Sequence, residues 1–308
     1  MGIHGPYGAR RSDPRPGLAD HRAWTAAPVT LPAEYADPIM PTLAVDDQAG
    51  SDMCMGAASA KVREWWRVKL GLPRVPLSFP YIYARGHQIA GDTAEGMQAV
   101  WAMEALERYG ACALAEDALQ PSTETVAQAE AASPPSLDKD AAENKIAASG
   151  PVDPHDAAAL GAAIMHAPVI VIIPVYASMG VENPVQDGFG GWVALPPADL
   201  ANAQVDGLHA VVAHGWRTWN GHLQRRLRNS WGAGYAMGGD VWLDASHPIE
   251  EAWSMTCALD PRCVYLHQTA AQARAWAAAH PDVPAAWRAD LEAYALRQDA
   301  AAAGLGCT

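Results

Sequence analysis

The sequence predicts an α+β protein built as two lobes, a helical lobe over about 46–160 and a β-rich lobe over about 165–245, with a cleft between them. Three observations lead there. Apolar residues recur at helical spacing through the first half, and β-branched runs of strand length fill the second. Half of the 308 residues are hydrophobic, enough to bury a full core. The seam between two such halves is a common place for an active site.

Taken in order, residues 1–27 carry Gly2, Gly5, Pro6, Pro14, Pro16 and Gly17 with Arg10 and Arg11. They lack the apolar centre of a secretory signal and read as a flexible arm, mobile or docked. Prolines at 32, 38 and 41 keep the next stretch extended. Over 53–70, Met55, Ala58, Val62, Trp65, Trp66 and Val68 approximate a helical stripe that Gly71 and Pro73 stop, so Cys54 falls in the first turn. Helices are expected at 80–85 and 97–109, the second closed by Gly110. Residues 113–160 are acidic, with clustered Pro, Ser and Thr, and read as a solvated connector. A short helix over 156–166 follows, with Asp153 or Asp156 as its cap. Strands are expected at 168–176, 191–195, 208–216, 224–228 and 240–243. The two-lobed unit spans 28–246, and 247–308 reads as a helical extension with helices at 248–256, 269–280 and 284–302. That extension packs on the body or offers a surface to a protein partner.

Composition excludes several function classes. A net charge of −13 without a basic stripe argues against nucleic acid. The longest apolar run is about nine residues against the roughly 20 that cross a bilayer, so no membrane helix is expected. Five scattered cysteines suit neither a disulfide scaffold nor a zinc cluster, and no metal or cofactor is called for. Cys257 and Cys263 stand close enough to pair or to stay reduced, and Cys112 reads as core filler. A cytoplasmic or particle-associated location is the expectation.

Chemistry concentrates in three places. At a helix N-terminus unpaired N–H groups and the macrodipole favour negative charge, so Cys54 stands where a thiol ionises most easily. Gln48, six residues earlier, offers an amide that with the cysteine's own N–H makes two donors for an oxyanion. His209 at the mouth of an apolar strand supplies an imidazole able to take a proton and return it. His214, five positions on, points to the opposite face of the strand and reads as a surface or core histidine. Asp52, two residues before the cysteine, should raise the thiol pKa.

The block Asn229-Ser230-Trp231-Gly232, with Gly234, Gly238 and Gly239 behind it, is the most specific feature of the chain. Together with Gln48, Cys54 and the Leu208-His209-Ala210-Val211 segment it resembles the papain-like cysteine peptidases over about residues 28–245. The resemblance implies that Asn229 orients the imidazole of His209 and that Trp231 shields their hydrogen bond. This chain departs from the family at Met55, where an aromatic often stands, and at Ser51, where secreted members carry a cysteine. It also lacks the long helical inhibitory segment before the glutamine, so control is expected elsewhere. The expected activity is hydrolysis of peptide bonds in a protein or peptide substrate. Two other readings stay open: a weakly active or inactive component of a larger assembly, and an amidase or transpeptidase using the same groups.

Overall fold

A computed structural model describes residues 7–13, 30–116, 125–176, 180–189 and 191–257, together with helical positions 274, 278, 289 and 292–297. Strand β1 (Ala9–Arg10) lies in the arm and β2 (Tyr35–Ala36) in the proline-spaced lead-in. The helical part contains α1 (Cys54–Lys69), α2 (Phe79–Ala90), β3 (Met97–Gln98), α3 (Ala99–Arg108), α4 (Val126–Ala132) and α5 (Asp138–Ala141). Then come β4 (Ile146–Val152), α6 (Ala157–His166), β5 (Val169–Val175), β6 (Val185–Gln186) and β7 (Trp192–Ala194). The last strands are β8 (Gly207–Trp219), β9 (His222–Arg228), β10 (Asp240–Asp244) and β11 (Glu251–Cys257).

One sheet runs β4-β11-β5-β8-β9-β10-β7-β6, with β1 and β2 added on β8. Strand β5 is buried along its whole length, and its alternate residues serve different cores. Ile170 and Ile172 face the helices with Ala210, Val212, Trp253 and Met255. Val169, Val171 and Ile173 face a second core with Val211, Ala213, Leu227, Trp231 and Val241. A strand covered on both sides needs apolar residues at every position, which is why its sequence is a continuous apolar run.

Helix α1 is buried from Cys54 to Trp66, not along one stripe. Small residues allow this: a Cβ on Gly56 would stand 2.6 Å from the carbonyl oxygen of Phe79. Its charged residues are buried in partnerships. Lys61 Nζ lies 3.2 Å from Asp46 and 2.5 Å from Glu64, and Glu64 also accepts the backbone N–H of Leu77 at 2.8 Å. Ser78 caps α2 through a bond from Tyr81 N, and Gly91 ends it at φ 65°. Asp156 caps α6.

Three expectations need correction. The stretch 248–256 is β11, not a helix, so the helical extension does not begin at 247. Its residues alternate, Ala252 to one core and Trp253 and Met255 to the other, and pairing with β4 and β5 outweighs the helix preference of Glu, Ala and Met. The supposed connector holds β4, an edge strand where Pro151 is tolerated, so a β element falls inside the span assigned to the helical lobe. Residues 97 and 98 leave the helix expected there because Met97 N donates to Gly8 O at 2.6 Å. Of the arm, read as mobile or docked, residues 7–13 are docked; 1–6 and 14–29 lie outside the described residues.

Of the expected C-terminal helices, Arg274, Ala278, Ala289 and 292–297 are helical, and Arg274 Nε donates to Glu292 at 3.3 Å. No helix among the described residues is long and apolar enough to cross a membrane. Cys54 and Cys257 are free thiols, and Cys263 lies outside the described residues.

Lys61→Met tests the buried cluster. It strands two carboxylates, Asp46 and Glu64, whose pKa values burial already raises, that of Glu64 to about 7. Breaking such a cluster from one side costs about 3–5 kcal/mol. Urea unfolding should show that loss at pH 8 and a smaller one at pH 5, where Glu64 is protonated in the folded state.

Candidate active site

The site is assembled by two short stretches bonded to each other. Gln48 N donates to Ser230 O at 2.8 Å and Gly232 N donates to Asp46 O at 2.9 Å, with Asp47 bridged to Trp231. A tight turn follows. Asp47 accepts from Ala49 N at 2.8 Å, Ala49 takes φ 48°, and both the N–H and the hydroxyl of Ser51 donate to Gln48 O. The chain then enters α1 at Cys54.

The Gln48 side chain is fully buried and held at both ends. Its Oε1 accepts from Ser230 Oγ at 2.5 Å, and one N–H of its Nε2 donates to Ser51 O at 2.7 Å. The second Nε2 hydrogen is left for another acceptor. Ser230 reaches the other half of the site too, because its N–H donates to Asn229 Oδ1 at 2.7 Å.

Asn229 Oδ1 also receives His209 Nε2 at 2.8 Å. Two donors converge on one atom, which fixes that atom as the amide oxygen and puts the imidazole proton on Nε2. Nδ1 is therefore the bare nitrogen. It is buried and has no hydrogen-bond partner, so no such bond joins it to the thiol. Trp231 stacks on the imidazole with ring centroids 4.7 Å apart and planes at 22°.

Cys54 is completely buried at the first position of α1, after an N-cap residue, Met53, that offers no side-chain acceptor. Backbone N–H groups of Ala210, Gly8 and Met55 lie near enough to its sulfur to favour the thiolate. Ala210, one of these neighbours, follows His209 on β8. Burial pushes the thiol up to about 12 against those N–H groups, with the charge of Asp52 adding to the rise. It also pushes His209 down to about 4, opposed by the bond to Asn229. Near neutral pH both groups are uncharged. Asp52 is half-buried, and its own carboxyl is raised by burial and then by Glu95.

His214 is fully buried, 3.5 Å from Asp240, in a cluster with Arg226 and Arg228. It takes no part in the site. Met55 and Cys112 are core residues. Ser230 and Ser51 were not singled out from sequence for any role; a serine inside the Asn229-Ser230-Trp231-Gly232 block was the available signal for the first. Nothing local pointed to Gly8. No group of three or more His, Cys, Asp or Glu among the described residues is placed to hold a metal ion.

No protein-family model matches the sequence, and no curated protein matches it either. Solved structures do. Xylellain, a cysteine protease from Xylella fastidiosa, superposes with a TM-score of 0.66 at 21% identity, covering 84% of this chain and 98% of its own. Procathepsin B S9 from Trypanosoma congolense gives 0.63 at 14% identity, covering 82% and 87%. Bromelain from Ananas comosus, in complex with E64, gives 0.52 at 18% identity, covering 74% and 100%. The fold of this chain is that of the papain-like cysteine proteases.

Proposed function

We propose that the chain is a cysteine peptidase in which Cys54 is the nucleophile, His209 the base, Asn229 its orienter and Gln48 an oxyanion donor. One observation carries this reading: a continuous run of hydrogen bonds from His209 Nε2 through Asn229 and Ser230 to Gln48, beside a cysteine at a helix N-terminus.

The steps follow from the atoms available. With a peptide carbonyl over the sulfur, the thiol proton passes to His209 Nδ1 as Sγ bonds to carbon. The carbonyl oxygen, now an anion, takes the remaining Nε2 hydrogen of Gln48 and the backbone N–H of Cys54. His209 returns its proton to the leaving amine, and the thioester is hydrolysed by a water that Nδ1 deprotonates. Asn229 keeps the Nε2 proton in place throughout, so the imidazole presents the same nitrogen at each step. Trp231 excludes water from that bond. A papain-fold component without catalysis is the second reading, and the uncharged state of Cys54 and His209 favours it.

Iodoacetamide should label Cys54 in the wild-type chain and not in Cys54→Ala, and cleavage of a mixed peptide library should vanish in Cys54→Ala and His209→Ala. Exclusive labelling at Cys112 would overturn the assignment. Gln48→Ala should lower kcat by about 10²–10³ with a smaller change in KM, the pattern of a lost oxyanion donor. Asp52→Asn removes a negative charge near the sulfur and should shift the alkylation rate profile of Cys54 to lower pH. An unchanged profile would mean that this carboxylate is already neutral or screened.

A further inference from the structure

An irregularity in the sheet brings the imidazole of His209 and the carboxamide of Asn229 into phase. Strands β8 and β9 are joined by the two-residue turn Asn220-Gly221, whose φ angles of 49° and 79° are the left-handed pair of a tight hairpin. That turn sets Trp219 opposite His222, and the register runs on unbroken to Gly215 opposite Arg226. There it slips by one place. Ala213 stands opposite Leu227 and Val212 opposite Arg228, so His214 has no opposite number on β9 and forms a β-bulge. Without the slip, the register set by the turn would place Val212 opposite Asn229 instead. A shift of one place turns the side chains of a strand to the other face, and Asn229 would no longer present its amide to His209.

One buried carboxylate straddles that slip. Asp240 lies opposite Arg228 across β9 and β10. Its Oδ1 accepts from Arg228 Nε at 2.5 Å, on the side of the bulge nearer the site, and its Oδ2 lies 2.9 Å from Arg226 Nη2, on the side nearer the turn. The same Oδ2 is 3.5 Å from Nε2 of His214, the bulged residue itself. Burial works against ionisation of Asp240, but the contacts with His214 and Arg228 prevail and hold its pKa at about 2. The group is a permanent anion at neutral pH. Its backbone neighbour completes the link to the site, since Gly239 O accepts the N–H of Asn229 at 2.8 Å. Arg228 also reaches the lead-in to Gln48, with Nη1 3.4 Å from Leu43 O.

We propose that Asp240 is a positioning residue for the reaction: by gripping Arg226 and Arg228 on either side of the bulge, and His214 within it, the carboxylate fixes the register in which Asn229 meets His209. This rests on the reading of His209 as base and Asn229 as its orienter. Asp240 acts only through the two side chains it brings into line, so its removal changes kcat and the state of the imidazole rather than the affinity for substrate. A misplacement of about 1 Å at a reacting group costs on the order of 10²-fold in rate.

The test follows the Nε2 proton of His209 by NMR in the full-length chain carrying isotope-labelled histidine, alongside cleavage of a peptide library. Loss of a signal in His209→Gln identifies it. The wild-type chain should show a slowly exchanging ring proton from the bond to Asn229; its absence there would remove the bond that the proposal explains and overturn it. Asp240→Asn keeps the shape and removes the charge. It should shift or broaden that signal and lower kcat roughly 10–10²-fold, with KM changed by less than about twofold. If Asp240→Asn does not fold, Arg226→Met, changed at a partly exposed position, loosens the turn side of the grip and should move the same signal. An unchanged His209 proton in folded Asp240→Asn, or in Arg226→Met where the first variant does not fold, would overturn the proposal. A merely structural charge would lower the unfolding midpoint and leave the imidazole alone. The two readings fail separately: a His209 signal that moves in Asp240→Asn, in a chain that cleaves no peptide, would sink the peptidase and leave the positioning role standing.

Discussion

The site depends on the bonding of residues 46–48 to residues 230–232. Without the two backbone bonds that join them, Gln48 and Asn229 would belong to parts of the chain about 180 residues apart with nothing to set their spacing. Ser230 is the common member, giving its hydroxyl to the glutamine and its N–H to the asparagine. Behind it lie two buried ion clusters, Lys61 with Asp46 and Glu64, and Arg228 with Asp240. Such a cluster has few alternative arrangements, since any shift leaves a charge unpaired in low dielectric. Rigidity at that level lets Gln48 and Asn229 hold fixed positions relative to each other.

Much of this was legible in the sequence because it is local chemistry. A cysteine at a polar-to-helical junction, a glutamine six residues earlier and an Asn229-Ser230-Trp231-Gly232 block stand out by residue type, and the structure bonds Gln48 to Ser230 and His209 to Asn229. Strand β5 was legible for another reason, since burial on both faces leaves only apolar residues. What could not be read was settled by distant partners. Strand β11 is written in helix-forming residues and becomes a strand only because β4 and β5 offer free edges. Strand β4 carries a glycine and a proline, and its edge position permits both. The docking of 7–13 depends on Gly96 and Gly207 leaving room, and neither is near it in sequence.

Electrostatics and access tell one story at the centre. A helix N-terminus lowers a thiol pKa most where the thiolate stays solvated, and Cys54 is fully buried, so desolvation outweighs the backbone N–H groups around it. The imidazole responds in the opposite direction for the same reason. Both shifts belong to the covered geometry and would shrink with water or a polar substrate in the seam.

The alternation along β5 has a further bearing on how the molecule holds together. Because β5 and β8 each contribute one face to the helical core and the other to the second core, the lobes have a party wall in common. Losing either core strips that wall bare on one side and removes support from the other. Helices and sheet thus form one cooperative unit, and cutting the chain into separate halves would leave neither with a complete interior.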